Sequence, residues 1–185
     1  MSANLRKYVK AVYGLDAVVN RVEPDQWDDP SPCEGWVARD VVGHSIRMLG
    51  VVLSAAGGPD VPQESDSELA GDDPRAAWHS ALDLTLEALD TQGALQKQAQ
   101  TPFGEMTLNR FLGIFAIDPL THTWDLAVAT GQKPILDEEL CEQGIVQLER
   151  AGDSVRVDGV FGPPVEPPPD ADIVTRFAAF SGRRV

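Results

Sequence analysis

Two histidines and one aspartate are the residues of this chain whose types and spacing favour metal chemistry. Asp118 stands four residues before His122, so on a helix both side chains lie on one face and can reach a single ion. His44 offers a second imidazole from another predicted helix. Three protein ligands leave a coordination position open, as catalytic sites do, and this set suits Zn²⁺ first, with Ni²⁺ or Fe²⁺ as alternatives. The spacing therefore predicts a metal centre made of His44, Asp118 and His122.

Two further residues are candidates for a catalytic role beside this set. Asp125 follows His122 by three residues on the same helical stripe, where it can orient the imidazole from outside the ligand set or act as a base. Arg47 lies one turn after His44 and could face an anionic substrate. The competing interpretation is an intrahelical Asp118–His122 hydrogen bond with Asp125 in solvent, which would make these groups purely structural.

Other polar and aromatic residues near these positions are assigned structural roles. Asp40 precedes His44 by four residues, but it falls in the first turn of its helix, where an acid favours the macrodipole. Cys33 lies in a loop beside a proline and is expected to pack as a small apolar residue rather than to act as a nucleophile. Trp36 and Trp124 are expected to anchor the core rather than to stack on a substrate.

Helical periodicity predicts the elements that must position these residues. Apolar residues recur at three- and four-residue spacing in most of the segments, which gives each helix one buried face. The predicted helices run from about Ala3 to Arg21, Val37 to Ala56, Pro74 to Leu89, Leu108 to Thr130, Asp137 to Ala151 and Asp172 to Phe180. Pro119 is expected to kink the fourth of them, beside Asp118.

Two connections between these helices also carry predictions. The segment Gly57–Pro74 contains six acids and is expected to be a long solvated loop, with a lid as the alternative. The segment Thr101–Thr107 is expected to be a turn between short extended pieces. The overall pattern predicts an all-α fold with little strand.

Composition limits the classes of protein that remain. The chain has 185 residues, 15 Lys plus Arg against 29 Asp plus Glu, and 43% hydrophobic residues, so its formal charge is −14. A chain of this size buries enough surface for one domain spanning residues 1–185. The acidic excess argues against binding to nucleic acid or to an anionic membrane.

The lack of a recognisable secretory signal and the low number of cysteines predict a cytoplasmic protein. No secretory signal follows the basic residues near the start, and no stretch of about 18 apolar residues could span a membrane. Cys33 and Cys141 are too few for a disulfide framework and lack the spacing of a CxxC motif. We therefore expect both thiols to be reduced.

Four separated blocks of the sequence resemble one known family. The two longest are SPCEGWVARDVVGHSIRMLG (31–50) and DPLTHTWDLAVATGQKP (118–134), and the others are TPFGEMT (101–107) and FGPPVEPPPDADIVTRFAAFSGR (161–183). Together they resemble the DinB-like metal-binding superfamily, in the branch that contains mycothiol-dependent maleylpyruvate isomerase and many uncharacterised actinobacterial proteins. The resemblance implies a four-helix bundle with a metal ion between its helices, and it carries the ligand role to His44, Asp118 and His122.

The resemblance also implies thiol chemistry. Members of the family suggest an enzyme that uses a divalent metal with an open coordination position. The metal would activate a low-molecular-weight thiol, mycothiol or similar, for transfer to an electrophile or for isomerisation. Pairing into homodimers is a further expectation. The alternatives are a metal-dependent hydrolase that activates water and a non-catalytic metal-binding or stress-response protein.

Three departures from the family pattern limit this prediction. The isomerase has Glu where this chain has Asp118, and Val37 replaces the usual Thr or Ser at the start of the second helix. The isomerase also carries an additional C-terminal domain, for which we expect no room in this sequence beyond Arg184. We therefore expect a reaction other than maleylpyruvate isomerisation.

Overall fold

The structure, a computed structural model, describes residues 1–61, 63–101, 104–156 and 160–185. It is mostly helical, with one two-stranded antiparallel hairpin, so the prediction of an all-α fold is confirmed. The helices are α1 (Ala3–Val19), α2 (Ala38–Ala55), α3 (Asp66–Ala70), α4 (Pro74–Asp90), α5 (Leu108–Phe115), α6 (Ile117–Ala129), α7 (Glu138–Ala151) and α8 (Ile173–Phe180). The strands are β1 (Gln98–Thr101) and β2 (Gly104–Thr107), as the extended pieces predicted, while Pro102 and Phe103 of the predicted turn lie outside the described residues.

The long helices form a bundle around one apolar core. Helix α1 packs against α5 and α6, and α2 packs against α4 and α6. The indole Nε1 of Trp78 on α4 donates to Asp16 on α1 at 2.9 Å, which ties these two helices together. The largest fully buried side chains include Trp78, Tyr8, Phe111, Phe177, Leu15, Leu108, Leu112 and Leu126. Within the described residues, no helix is long and apolar enough to cross a membrane.

The predicted fourth helix is two helices, which corrects the expectation of one kinked helix over Leu108–Thr130. The break falls at Ala116, between α5 and α6, and Pro119 is the third residue of α6 rather than an interior residue. Proline lacks an N–H and its ring clashes with the carbonyl four residues earlier, which here belongs to Phe115 at the end of α5. The proline therefore ends one helix and permits the next to begin, with Asp118 in the first turn of α6.

The acidic segment Gly57–Pro74 is not a plain loop. Ser65 caps the short helix α3, and its hydroxyl accepts from the backbone of Glu68, whose carboxylate accepts in return from the Ser65 backbone. Helix α3 lies directly on α2 at Gly43. The contact is so close that a Cβ added at Gly43 would lie only 1.7 Å from the carbonyl oxygen of Asp66. The long acidic loop of the prediction is thus partly a helix docked beside His44.

The loop before α2 places Trp36, partly buried, against the edge of the core. An isolated bridge joins Pro30 to Val37, and the backbone N–H of Trp36 donates to Cys33. Val37 has no side chain able to cap α2, and the carboxylate of Asp40 accepts from its N–H at 3.0 Å instead. The structural role predicted for Asp40 therefore takes the form of a capping contact.

Candidate metal centre

His44, Asp118 and His122 come together where α2 faces α6. The Nε2 atom of His44 lies 3.5 Å from Oδ1 of Asp118, and Nε2 of His122 lies 3.8 Å from the same oxygen. The two imidazole centroids are 4.8 Å apart, edge to face. A tetrahedral Zn²⁺ with bonds of 2.0–2.1 Å separates its donor atoms by about 3.4 Å. The three donor atoms are therefore close to the spacing that one divalent ion requires.

Burial opposes the charged form of both His44 and Asp118, and their mutual contact outweighs it. Burial alone would raise the pKa of Asp118, but the hydrogen bond from His44 and the nearby charge of His122 bring it below its usual value. Burial likewise acts to lower the pKa of His44, and the same contact with Asp118 outweighs it and raises that pKa. Asp118 is thus a carboxylate at neutral pH, as a metal ligand must be.

His122 is supported from behind by a pair of charged residues, Asp125 and Arg183, which we call the buried pair. Oδ2 of Asp125 accepts from Nδ1 of His122 at 2.9 Å and from the guanidinium of Arg183 at 2.7 Å. The side chain of Asp125 is 0% exposed. Burial acts against its ionisation, and the contacts with His122 and Arg183 reverse this and hold its pKa well below the usual range. The prediction that Asp125 lies on the same helical face as His122 is consistent with this contact.

His44 faces a second pair, Asp66 and Arg47, which we call the surface pair. Arg47 Nε donates to Oδ1 of Asp66 at 2.7 Å, and its guanidinium also contacts the carbonyl of Glu64. Oδ2 of Asp66 lies 3.9 Å from Nδ1 of His44, which is too far for a direct hydrogen bond. Arg47, which the sequence analysis placed toward an anionic substrate, is thus held by the acidic segment in this structure.

Aromatic residues close the space around the histidines. The ring of Trp36 lies 5.1 Å from His44 and 6.1 Å from His122, centroid to centroid. Tyr8 on α1 is buried in the same region, and burial together with the charge of Asp118 raises the pKa of its hydroxyl. Trp124 is a core residue, 7% exposed, as expected, and Trp36 packs against the core, partly buried, beside both imidazoles.

Cys33 lies behind the site rather than in it. Its thiol donates to Oδ2 of Asp125 at 3.3 Å and lies 3.9 Å from the guanidinium of Arg183. Burial, followed by the charge of Asp125, raises the pKa of Cys33 to about 12, which leaves almost no thiolate at neutral pH. The environment thus favours the packing role expected for Cys33 over a nucleophilic one.

Two residues of this region did not stand out in the sequence. Arg183 is separated from Asp125 by 58 positions, and its only signal is its place in the C-terminal block of the family resemblance. Asp66 is one of six acids in a polar segment, and nothing in that composition distinguishes it from its neighbours. Both contacts depend on how the helices pack rather than on spacing along one helix.

The sequence and the fold identify the class of protein. Residues 10–127 match the sequence family described as the mycothiol maleylpyruvate isomerase N-terminal domain, so the chain belongs to that family. Two uncharacterized proteins of Mycobacterium tuberculosis, from strains CDC 1551 and H37Rv, are each 30% identical to it over 183 residues. Each of these alignments covers 98% of this chain and 98% of the relative.

A solved structure supports the same fold at greater distance. The crystal structure of a histidine-to-alanine mutant of the mycothiol-dependent maleylpyruvate isomerase superposes with a TM-score of 0.55 at 15% identity. The match covers 78% of this chain and 68% of the other. The resemblance read from the sequence and the DinB-like all-α fold that it implied are both confirmed.

Proposed function

We propose that this protein is a metal-dependent enzyme that activates a low-molecular-weight thiol, mycothiol or a similar compound, for transfer to an electrophile or for isomerisation. Its ligands are His44, Asp118 and His122. The observation that carries the proposal is the convergence of three metal-ligating atoms, all within 4.8 Å of one another, from two helices of a family named for a mycothiol-dependent enzyme.

The donor set leaves room for a substrate. Two imidazoles and one carboxylate would supply three ligands to a divalent ion and would leave a coordination position for a substrate. Zn²⁺ suits this mixture of nitrogen and oxygen ligands best, with Ni²⁺ and Fe²⁺ as further possibilities. A divalent cation with an open position stabilises a thiolate near neutral pH.

The residues of this chain supply binding and orientation. Asp118 brings the single negative charge of the ligand set, so a divalent ion keeps a net positive charge that attracts a thiolate or a carboxylate. Trp36 covers one side of the ligand set, with its ring 5.1 Å from that of His44 and 6.1 Å from that of His122. Arg47 is the cation nearest to His44 in sequence, and it can bind an anionic group of the substrate if that group takes the place of the Asp66 carboxylate.

Metal content is the first test. Protein purified without chelators and without a metal-affinity column should contain about one divalent ion per chain, or take one up from Zn²⁺ solution. Elemental analysis measures the ratio before and after incubation. A ratio near zero in both samples would contradict the proposal and would favour a non-catalytic bundle that merely buries these polar residues.

Thiol dependence is the second test. The metal-loaded protein is assayed with mycothiol, cysteine or glutathione as the thiol and with a haloalkyl or a conjugated dicarboxylate electrophile. We expect turnover that needs both the metal and one of the thiols. Ester or amide cleavage that needs metal but no thiol would instead assign the site to hydrolysis, and no activity with any thiol would argue against the transferase.

Two broader expectations join this proposal. Arg183 in the last block contacts Asp125 and Cys33 in earlier ones, which supports one domain over residues 1–185. Cys33 and Cys141 are free thiols, which suits the reducing cytoplasm where a thiol cofactor remains reduced.

A further inference from the structure

The buried pair makes an unusually complete set of contacts. Both oxygens of Asp125 are engaged by Arg183: Nε donates to Oδ1 at 3.0 Å and the terminal nitrogen donates to Oδ2 at 2.7 Å. Oδ2 also accepts from Nδ1 of His122 at 2.9 Å and from the thiol of Cys33 at 3.3 Å. The carboxylate is therefore fixed in position and orientation by groups from three separate parts of the chain.

We propose that Arg183 is a positioning residue of the metal centre, which acts through Asp125 on the ring of His122. This inference rests on the proposed function, since it assumes that His122 binds metal. A carboxylate that accepts a bidentate pair of hydrogen bonds from a guanidinium is restrained from rotating away from the imidazole. Nδ1 of His122 then donates its proton to Asp125, and the lone pair of Nε2 points toward Asp118 and the ion.

Arg183 is itself held rigidly, which positioning requires. Its backbone N–H donates to Ala178 at 3.0 Å and its guanidinium donates to Ser181 at 3.0 Å. Gly182 has φ +91°, and any side chain there would press against Gly162, with a Cβ 2.8 Å from the Gly162 Cα. The turn after α8 therefore requires glycine at position 182, and the turn directs Arg183 toward Asp125.

Arg183 lies outside the residues 10–127 that match the family domain. The ligands lie inside that range, so the C-terminal segment completes a metal centre whose ligands come from the N-terminal part. The contribution of Arg183 is not a ligand bond, because its guanidinium carries no lone pair for a metal. Its effect should therefore appear as a change in the affinity of the site for the ion.

The test compares metal affinity in three variants. Arg183→Met removes both contacts, Arg183→Lys keeps the charge with a single donor group, and Arg184→Met is the matched control on the neighbouring exposed arginine. Zn²⁺ affinity is measured by competition with a chromophoric chelator, and Co²⁺ spectra report the ligand geometry. We expect a loss of about 10- to 100-fold for Arg183→Met, a smaller loss for Arg183→Lys, and no change for Arg184→Met.

A double-mutant cycle separates positioning from general support of the fold. If Arg183 acts through Asp125, then Arg183→Met should cost no further affinity in a protein that already carries Asp125→Asn. Additive losses would overturn the inference. Circular dichroism of the metal-free variants checks that each is folded, and if Arg183→Met is not, Arg183→Lys with Asp125→Asn forms the cycle.

The outcomes for the two proposals are distinct. If the wild type binds no metal, the proposed function fails and this inference fails with it. If the wild type and Arg183→Met bind Zn²⁺ equally tightly and give the same Co²⁺ spectrum, only the inference is overturned.

Discussion

The two histidines of the site have similar neighbours in different settings. His122 has Asp125 at 2.9 Å and His44 has Asp66 at 3.9 Å, and in each case an arginine engages that aspartate at 2.7 Å. Asp125 is 0% exposed, whereas Asp66 is 23% exposed and belongs to the acidic segment outside the bundle. The arrangement of His122, Asp125 and Arg183 is buried in the core. The arrangement of His44, Asp66 and Arg47 has the same residue types at a longer histidine–aspartate distance and closer to solvent.

These two settings restrict the two imidazoles to different degrees. A buried, fully hydrogen-bonded carboxylate restricts an imidazole to one orientation. A carboxylate 3.9 Å away, paired with an arginine that water can reach, restricts the other imidazole far less. We therefore expect His122 to be the more firmly oriented ligand of the proposed centre, while His44, 20% exposed against 10% for His122, lies on its more accessible side.

The largest effect should follow removal of a ligand. His122→Ala or Asp118→Ala leaves two of the three donor atoms, and two ligands do not retain a divalent ion through purification. We expect the metal content to fall from about one ion per chain toward zero. The matched control is His79→Ala, since His79 pairs with Asp16 on the α1–α4 side of the bundle. Equal loss in the control would show that binding is not at the proposed site.

The stability of the metal-free protein should distinguish the two pairs next. Asp125→Asn leaves the buried guanidinium of Arg183 without its counter-charge, and we expect a loss of about 3–5 kcal/mol in the free energy of unfolding. Asp66→Asn breaks a pair whose two side chains are 23–24% exposed, so solvent screens it more than the buried pair, and its loss should cost about 1 kcal/mol. Urea unfolding followed by circular dichroism measures both. Equal losses would remove the distinction between the buried pair and the surface pair.

Metal affinity should separate the same two variants by a smaller margin. Asp125→Asn is expected to weaken Zn²⁺ binding by about 10- to 100-fold, and Asp66→Asn by less than about 10-fold. The reason is that Asp66 makes no direct hydrogen bond to His44. Chelator competition measures both values at one pH. A larger effect at Asp66 would mean that α3 closes onto His44 when the ion is bound.

The smallest effect is expected at the thiol behind the site. Cys33→Ala removes one donor from Asp125, while His122 and Arg183 continue to hold that carboxylate. We expect thiol-dependent turnover above about half of the wild-type rate, because a buried thiol with a raised pKa is not a nucleophile. Cys141→Ala, at the other free thiol, is the control. Complete loss of turnover in the Cys33 variant alone would assign it a direct role.

Local patterns predicted the parts of this molecule that depend on one helix at a time. Helix periodicity located the bundle helices, and the four-residue spacing of Asp118 and His122 placed them on one face. Packing between elements determined what the spacing could not show. The break at Ala116 depends on the Phe115 carbonyl that Pro119 would meet, and the docking of α3 depends on the bare surface of Gly43.

For the site, too, the residues on one helix could be predicted from the sequence, whereas the contacts between elements could not. The ligand set was predicted from residue types and from the family resemblance, and it remains a prediction that the geometry supports. Arg183 could not be found by periodicity, since it reaches Asp125 across 58 positions and lies in a short turn after α8. Asp66 gave no signal because the charge of a surface acid does not reveal which basic group it meets.

The contacts of Asp125 also affect the order in which the site can form. The buried pair joins residues 58 positions apart, and Cys33 contacts Asp125 across 92 positions and Arg183 across 150, so these contacts close three long loops. Contacts this distant in sequence form late in folding, because the entropy cost of closing the loop comes before the stabilisation that the contact provides. On the ribosome, the residues that would bind the ion emerge well before Arg183 does. If the proposed metal centre forms, a chain in which Arg183 has not yet reached Asp125 should bind the ion more weakly than the folded protein does.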